Sequence, residues 1–226
     1  MGILLLVRHG QASIDAADYD QLSAVGRRQA RSLGERLAHA DLSVERILCG
    51  TSARQRDTAG ELASALGFPG AHLRTDARLD EFDHVGLLAA HPFARTVAAR
   101  PEGTEPGVPA ALDEAIARWI AADQHDQPVD EVAYPESHVS FVARAVDAVR
   151  EFTDAAGTGL AVSSAGVIAA VSAAALGLPA ERWPSLAGRM VNSSITRMAS
   201  SEAGGVLMTF NDYAHLEHDR MLITYR

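Results

Sequence analysis

The chain opens with an unbroken apolar run, Gly2 to Val7, that stops at the charged Arg8. A run this short, rich in Leu, Ile and Val and closed by a glycine-containing break, predicts a central strand buried on both faces. Downstream, Ala30, Leu33 and Leu37 recur at helical spacing behind Ser23, which predicts a helix to about His39 capped by that serine. Arg46 to Cys49 predicts a second strand. Thr51 or Ser52 stands where it could cap the next helix, in which Ala59, Leu62, Ala63 and Leu66 share a face before Gly67 and Pro69 end it.

The same alternation returns in the C-terminal half. Ser137 begins a helix with Val139, Val142, Val146 and Val149 on one stripe, followed by a strand from Leu160 to Ser163 and a helix from Val167 to Leu176. Ser194 to Ser200 and Val206 to Phe210 read as two late strands joined by an Ala203-Gly204-Gly205 turn. Strands alternating with helices imply an α/β fold, a three-layer sandwich with a mostly parallel central sheet flanked by helices. Residues 84–135 break this rhythm with Pro92, Pro101, Pro106, Pro109 and Pro128 and one helix, Ala110 to Ala122. They read as an acidic insert over the carboxyl end of the sheet, within a single domain spanning 1–226.

Composition narrows the chemistry. With 226 residues and 47% hydrophobic content the chain can bury a full core. The formal charge of -9 argues against nucleic acid or an anionic membrane as partner, so an anionic substrate must meet a local basic pocket. All 20 basic side chains are arginine. The missing lysine excludes a Walker P-loop and Schiff-base chemistry, whereas arginine grips phosphate bidentately. Cys49 is the single cysteine and reads as a buried strand residue, so neither an intrachain disulfide nor a cysteine-rich zinc site is possible. The opening apolar run is too short for a signal peptide or a membrane span, which suggests a cytoplasmic location. Oligomeric state stays open.

The strongest chemical feature is Arg8-His9-Gly10 at the carboxyl end of the first strand, the edge where open α/β sheets bind ligands. A neutral imidazole there is a competent nucleophile toward phosphorus. Arg8 could neutralise phosphoryl oxygens, and Gly10 would let backbone approach the ligand. Arg54 and Arg56 begin the second helix, whose N-terminus favours anions; two residues apart, they cannot share a face, so one is expected at the pocket and the other in solvent.

Together these segments resemble the histidine-phosphatase (phosphoglycerate-mutase-like) superfamily. Leu5 to Gly10 is similar to its opening strand and RHG motif, Leu22 to Gly26 with Gln29 and Ala30 to its next helix, and Arg54 to Ala59 to its second arginine motif. Leu79-Asp80-Glu81 resembles its acid-bearing segment, Glu136-Ser137 a helix start, and Asn211-Asp212 with His215-Leu216 its C-terminal motif. The resemblance implies hydrolysis of a small phosphomonoester through a phosphohistidine at His9, with Arg8 and Arg54 clamping the phosphate and Glu81 donating a proton to the leaving oxygen. Gly10, Gln11, Ser164 and His84 would complete the substrate contacts. No cofactor and no metal is implied; His215 and His218 fix no third ligand.

Two positions depart from the family pattern. Ser164, in Ser163-Ser164-Ala165-Gly166, occupies the place of a second histidine that donates to the phosphoryl group in flight, and Asp15 stands where many members carry asparagine. Loss of one such preorganised donor typically costs roughly 100- to 1,000-fold in rate. His84 could bring a compensating imidazole. Three alternatives follow: a catalytically weak phosphate-binding or interaction module on the same fold, a serine hydrolase with Ser164 on a nucleophile elbow, and a phosphoglycerate-type mutase, for which the acidic insert supplies few cations.

Overall fold

The computed structural model describes residues 2–13, 20–40, 42–69, 73–90, 108–123, 134–201 and 204–225. Among these the sheet has six strands: β1 (Gly2–Arg8), β2 (Val44–Cys49), β3 (Leu73–Thr75), β4 (Gly157–Ser163), β5 (Ile195–Ser201) and β6 (Gly204–Asp212). Their spatial order is β3-β2-β4-β1-β5-β6. The first four run parallel and the final hairpin is antiparallel, so the sheet is mostly parallel as expected. The short edge strand β3 carries no periodic signal of its own and was not anticipated.

Leu4, Leu5, Leu6 and Val7 are all fully buried because β1 lies inside the sheet with helices over both faces. Leu5 and Val7 pack with Ala30, Leu33 and Leu37 of α1 (Ala24–His39) and Ala59 and Leu62 of α2 (Ala53–Ala65). Leu4 and Leu6 face α5 (His138–Asp154) and α6 (Ala165–Ala175), in a cluster that extends to α4 (Val108–Ala122). Each buried leucine contributes roughly 1.5–3 kcal/mol. Two further helices, α3 (His84–Ala90) and α7 (Trp183–Ala187), complete the described set.

The helix starts divide by how they are capped. Ser23 caps α1 as expected, its Oγ accepting from Gly26 N at 3.0 Å, and Ser137 caps α5 through Ser140 N at 3.1 Å. At α2 neither Thr51 nor Ser52 caps with its side chain; the Asp20 carboxylate accepts from Ala53 N at 2.6 Å instead. A carboxylate at a helix N-terminus satisfies an orphan N–H and complements the dipole better than a hydroxyl.

The valine stripe expected on α5 is displaced by one position. Its buried seam is His138, Phe141, Ala145, Ala148 and Val149, while Val139 is 61% exposed. The displacement arises because Phe141, with Trp119 of α4 and Trp183 of α7, forms a cluster around Phe82 that sets how α5 rotates. Helix α6 begins at Ala165, two residues earlier than expected, and is buried from Gly166 to Ser172 without a polar face. Within residues 84–135, α4 matches the expected helix, and α3, which begins at His84, is a further one.

Candidate active site

Parallel register aligns Arg8 at the end of β1 with Ser163 at the end of β4, so the residues that follow both strands emerge at one sheet edge. His9 is fixed there by its backbone. Its N–H donates to the Ser163 carbonyl at 2.9 Å, and its carbonyl accepts from Asn192 Nδ2 at 3.2 Å and Ser193 N at 3.3 Å. Ser193 adopts φ 64°, an uncommon conformation for serine, and its N–H also reaches the Arg8 carbonyl at 3.0 Å.

The imidazole is oriented as firmly as its backbone. Nδ1 lies 2.8 Å from the Gly10 carbonyl, which can only accept, so Nδ1 carries the proton and Nε2 the lone pair. Arg54 Nε–H donates to that lone pair at 3.2 Å. Burial, with the Arg8 and Arg54 charges adding to it, pushes the His9 pKa well below the usual imidazole range. The ring is therefore neutral near pH 7, the form a nucleophile needs.

Arg54 is itself aimed by Asp20, whose Oδ1 accepts from Arg54 Nη1 at 2.7 Å while its other oxygen caps α2. Arg56 turns outward to the Thr51 carbonyl at 2.7 Å and is exposed. The two arginines thus divide between pocket and solvent as their spacing requires. Arg8 is buried, its guanidinium donating to the Met190 carbonyl and, at 3.0 Å, to that of Tyr225. These carbonyls brace a side chain that sequence alone assigned wholly to phosphate.

Glu81 follows a short 3-10 turn, Ala77–Leu79, and is packed against the start of α6. Its carboxyl accepts from Gly166 N at 3.0 Å and Phe82 N at 3.3 Å. Desolvation outweighs these bonds and raises its pKa from the usual carboxyl value, toward the protonated form. A Cβ at Gly166 would stand 2.2 Å from Glu81 Oε1; glycine there is a condition of the acid's position.

Arg8, His9, Arg54, Glu81 and His84 line one cavity of about 280 Å³, with Ala12, Phe82, Leu112 and Tyr225 forming the rest of its described wall. His84 opens α3, and burial first, then the Arg54 charge, lowers its pKa. Three residues expected to contact substrate are not among those lining this cavity. Gly10 donates to Thr58 Oγ1 at 3.0 Å, and its missing Cβ makes room for Gly26, whose carbonyl a methyl would approach to 2.6 Å, so the close approach is to protein backbone. Gln11 bonds through N to Gln29 Oε1 at 2.8 Å and through Oε1 to Ser23 Oγ at 2.9 Å. Ser164 is 1% exposed, and its Oγ accepts from Gln55 Nε2 at 2.9 Å.

That burial removes the nucleophile-elbow reading, which needs a hydroxyl presented to solvent on a strained turn; Ser164 has φ -111°. Asp15 lies outside the described residues. Sequence reasoning did not single out Asp20, Gln55 or Tyr225. The only signal for Asp20 was a carboxylate shortly before a capped helix, and Tyr225 sits in no periodic element. A second cavity of about 230 Å³ opens between α5 and β3, but the Arg78 on its rim is paired with Asp76 and Glu151.

Comparison with known proteins identifies the family. The model of the histidine phosphatase superfamily (branch 1) matches residues 4–213. A glucosyl-3-phosphoglycerate phosphatase of Mycobacterium tuberculosis is 30% identical over 230 residues, covering 89% of this chain and 87% of that protein. Its counterpart in Mycolicibacterium vanbaalenii is 32% identical over 211 residues, covering 87% and 83%. The solved mycobacterial glucosyl-3-phosphoglycerate phosphatase in complex with VO3 superposes with a TM-score of 0.58 at 26% identity, covering 92% of this chain and 98% of that one. Bacillus stearothermophilus YhfR shares the fold at a TM-score of 0.67 and 22% identity, covering 96% and 100%. With a family model spanning nearly the whole chain, the protein belongs to the histidine phosphatase superfamily, branch 1.

Proposed function

We propose that this protein hydrolyses a small phosphomonoester through a phosphohistidine at His9. The observation that carries the proposal is the His9 Nε2 lone pair, turned to Arg54 in a cavity that also holds the half-buried Glu81. When a phosphoryl group enters, Arg54 exchanges the imidazole for a phosphoryl oxygen and unmasks the lone pair. Nε2 attacks phosphorus, the bond to the leaving oxygen breaks, and the Glu81 proton passes to that oxygen. The Glu81 carboxylate then takes a proton from water as the water oxygen attacks phosphorus; the N–P bond breaks, and phosphate leaves with His9 neutral again.

Positive charge comes from Arg8 and Arg54, so the scheme calls for no metal. His84 is the second imidazole at the cavity and is assigned as the phosphoryl-oxygen donor, while Ser164 acts behind the wall with Gln55. The curated relatives are phosphatases, which favours hydrolysis over mutase chemistry and over a binding module without turnover. The test is a panel of phosphomonoesters with and without EDTA. Release of phosphate that survives EDTA and vanishes in His9→Ala supports the reading; turnover retained in His9→Ala, or abolished by EDTA, overturns it.

A further inference from the structure

The phosphate end of the cavity leaves open what it accepts as a leaving group, and the remaining wall bears on that. Its described residues are Ala12, Phe82, Leu112 and Tyr225. Phe82 is 8% exposed and packs against Trp119, Phe141 and Trp183 at ring-centroid distances of 5.4, 5.7 and 5.8 Å, so it is a fixed wall. Tyr225 is 53% exposed, yet its backbone is tied into the site. Its carbonyl accepts from Arg8, and the neighbouring Thr224 is held by Asn192 N at 2.9 Å and Gln29 Nε2 at 2.9 Å.

We propose that the leaving group is an uncharged ring whose apolar face rests on Phe82, Leu112 and Tyr225, with Tyr225 the specificity-determining residue. The inference rests on the phosphatase reading of this site. Charge supports it: a phosphomonoester brings about -1.5 to -2, and with Arg54 already sharing its charge with Asp20, the phosphate takes up what Arg8 and Arg54 offer. Among the described residues, a second anion on the leaving group would lie beside Glu81, His84 and an apolar wall, where an unpaired charge is costly. Aromatic side chains suit flat neutral partners and cost little ordering entropy with only two side-chain torsions.

A matched pair separates charge from leaving-group chemistry: benzyl phosphate and 4-carboxybenzyl phosphate both release a primary benzylic alkoxide and differ by one para carboxylate. Calorimetry on His9→Ala measures binding of both without turnover. Benzyl phosphate is expected to bind at least about tenfold more tightly, a difference of about 1.4 kcal/mol. Adding Tyr225→Ala should weaken benzyl phosphate about fivefold while leaving the dissociation constant of inorganic phosphate within about twofold, because the carbonyl that holds Arg8 survives the substitution. Equal affinities for the two esters, or a parallel loss for phosphate and ester in Tyr225→Ala, overturns the proposal. Because these readouts need no chemistry, they stand or fall separately from the hydrolysis of the panel.

Discussion

Single side chains at this site do their work through what holds them. Arg54 is aimed by Asp20 and Arg56 is turned to solvent, so Arg54→Ala should weaken inorganic phosphate roughly 10- to 100-fold, the worth of one charge-assisted bond. Arg56→Ala should change it less than about twofold; equal calorimetric affinities would remove the assignment. Gly166→Ala places a methyl against the Glu81 carboxyl and should lower kcat at least about tenfold while phosphate still binds, since only the proton donor is displaced. His84→Ala should likewise cost about tenfold or more in kcat, with Ser164→Ala nearly silent; the reverse order would return the donor role to Ser164. Sequence made His9, Arg54 and Glu81 legible because each sits in a short motif. That Gly10 bonds Thr58 and Ser164 bonds Gln55, neither lining the cavity, was not legible, because a motif says nothing about which neighbour fills the space beside it.

At the scale of elements, periodicity identified most helices but not always the face they bury. Val139 belongs to a valine stripe, yet the seam of α5 is set by the aromatic cluster that Phe141 joins with Trp119 and Trp183. Phe141→Ala should therefore cost about 3–5 kcal/mol in denaturant unfolding, and Val139→Ala under about 0.5 kcal/mol. Similar costs for the two would mean that α5 is rotated from the orientation described. The strand β3 and the helix α3 escaped because three and seven residues are too few to display a period. The cap of α2 escaped for a different reason: Asp20 comes from another segment, and capping rules look only at adjacent residues.

Across the whole molecule, the α/β layering was legible because each parallel strand and its helix wrote separate hydrophobic patterns, and β1 read as buried on both faces. How the carboxyl edge gathers β1, α2, the 77–81 segment, α3, α4 and the 222–225 segment around one cavity was not legible, since those contacts span most of the chain. That assembly sets the pH dependence. The proposed scheme needs His9 unprotonated and Glu81 protonated; His9 is lowered and Glu81 raised. Activity should fall on the acid side only as His9 protonates, below the usual imidazole range, and on the alkaline side as Glu81 ionises, above the usual carboxyl range. Glu81→Gln should abolish the alkaline limb in kcat/KM profiles; a limb that persists would assign it to another group. The most direct test of the central claim is to quench the protein during turnover of a radiolabelled phosphomonoester and locate the covalent phosphate. The account predicts an acid-labile, alkali-stable label on His9 that is absent from His9→Ala, whereas label on a serine, or turnover with no covalent phosphate at any quench time, would contradict it.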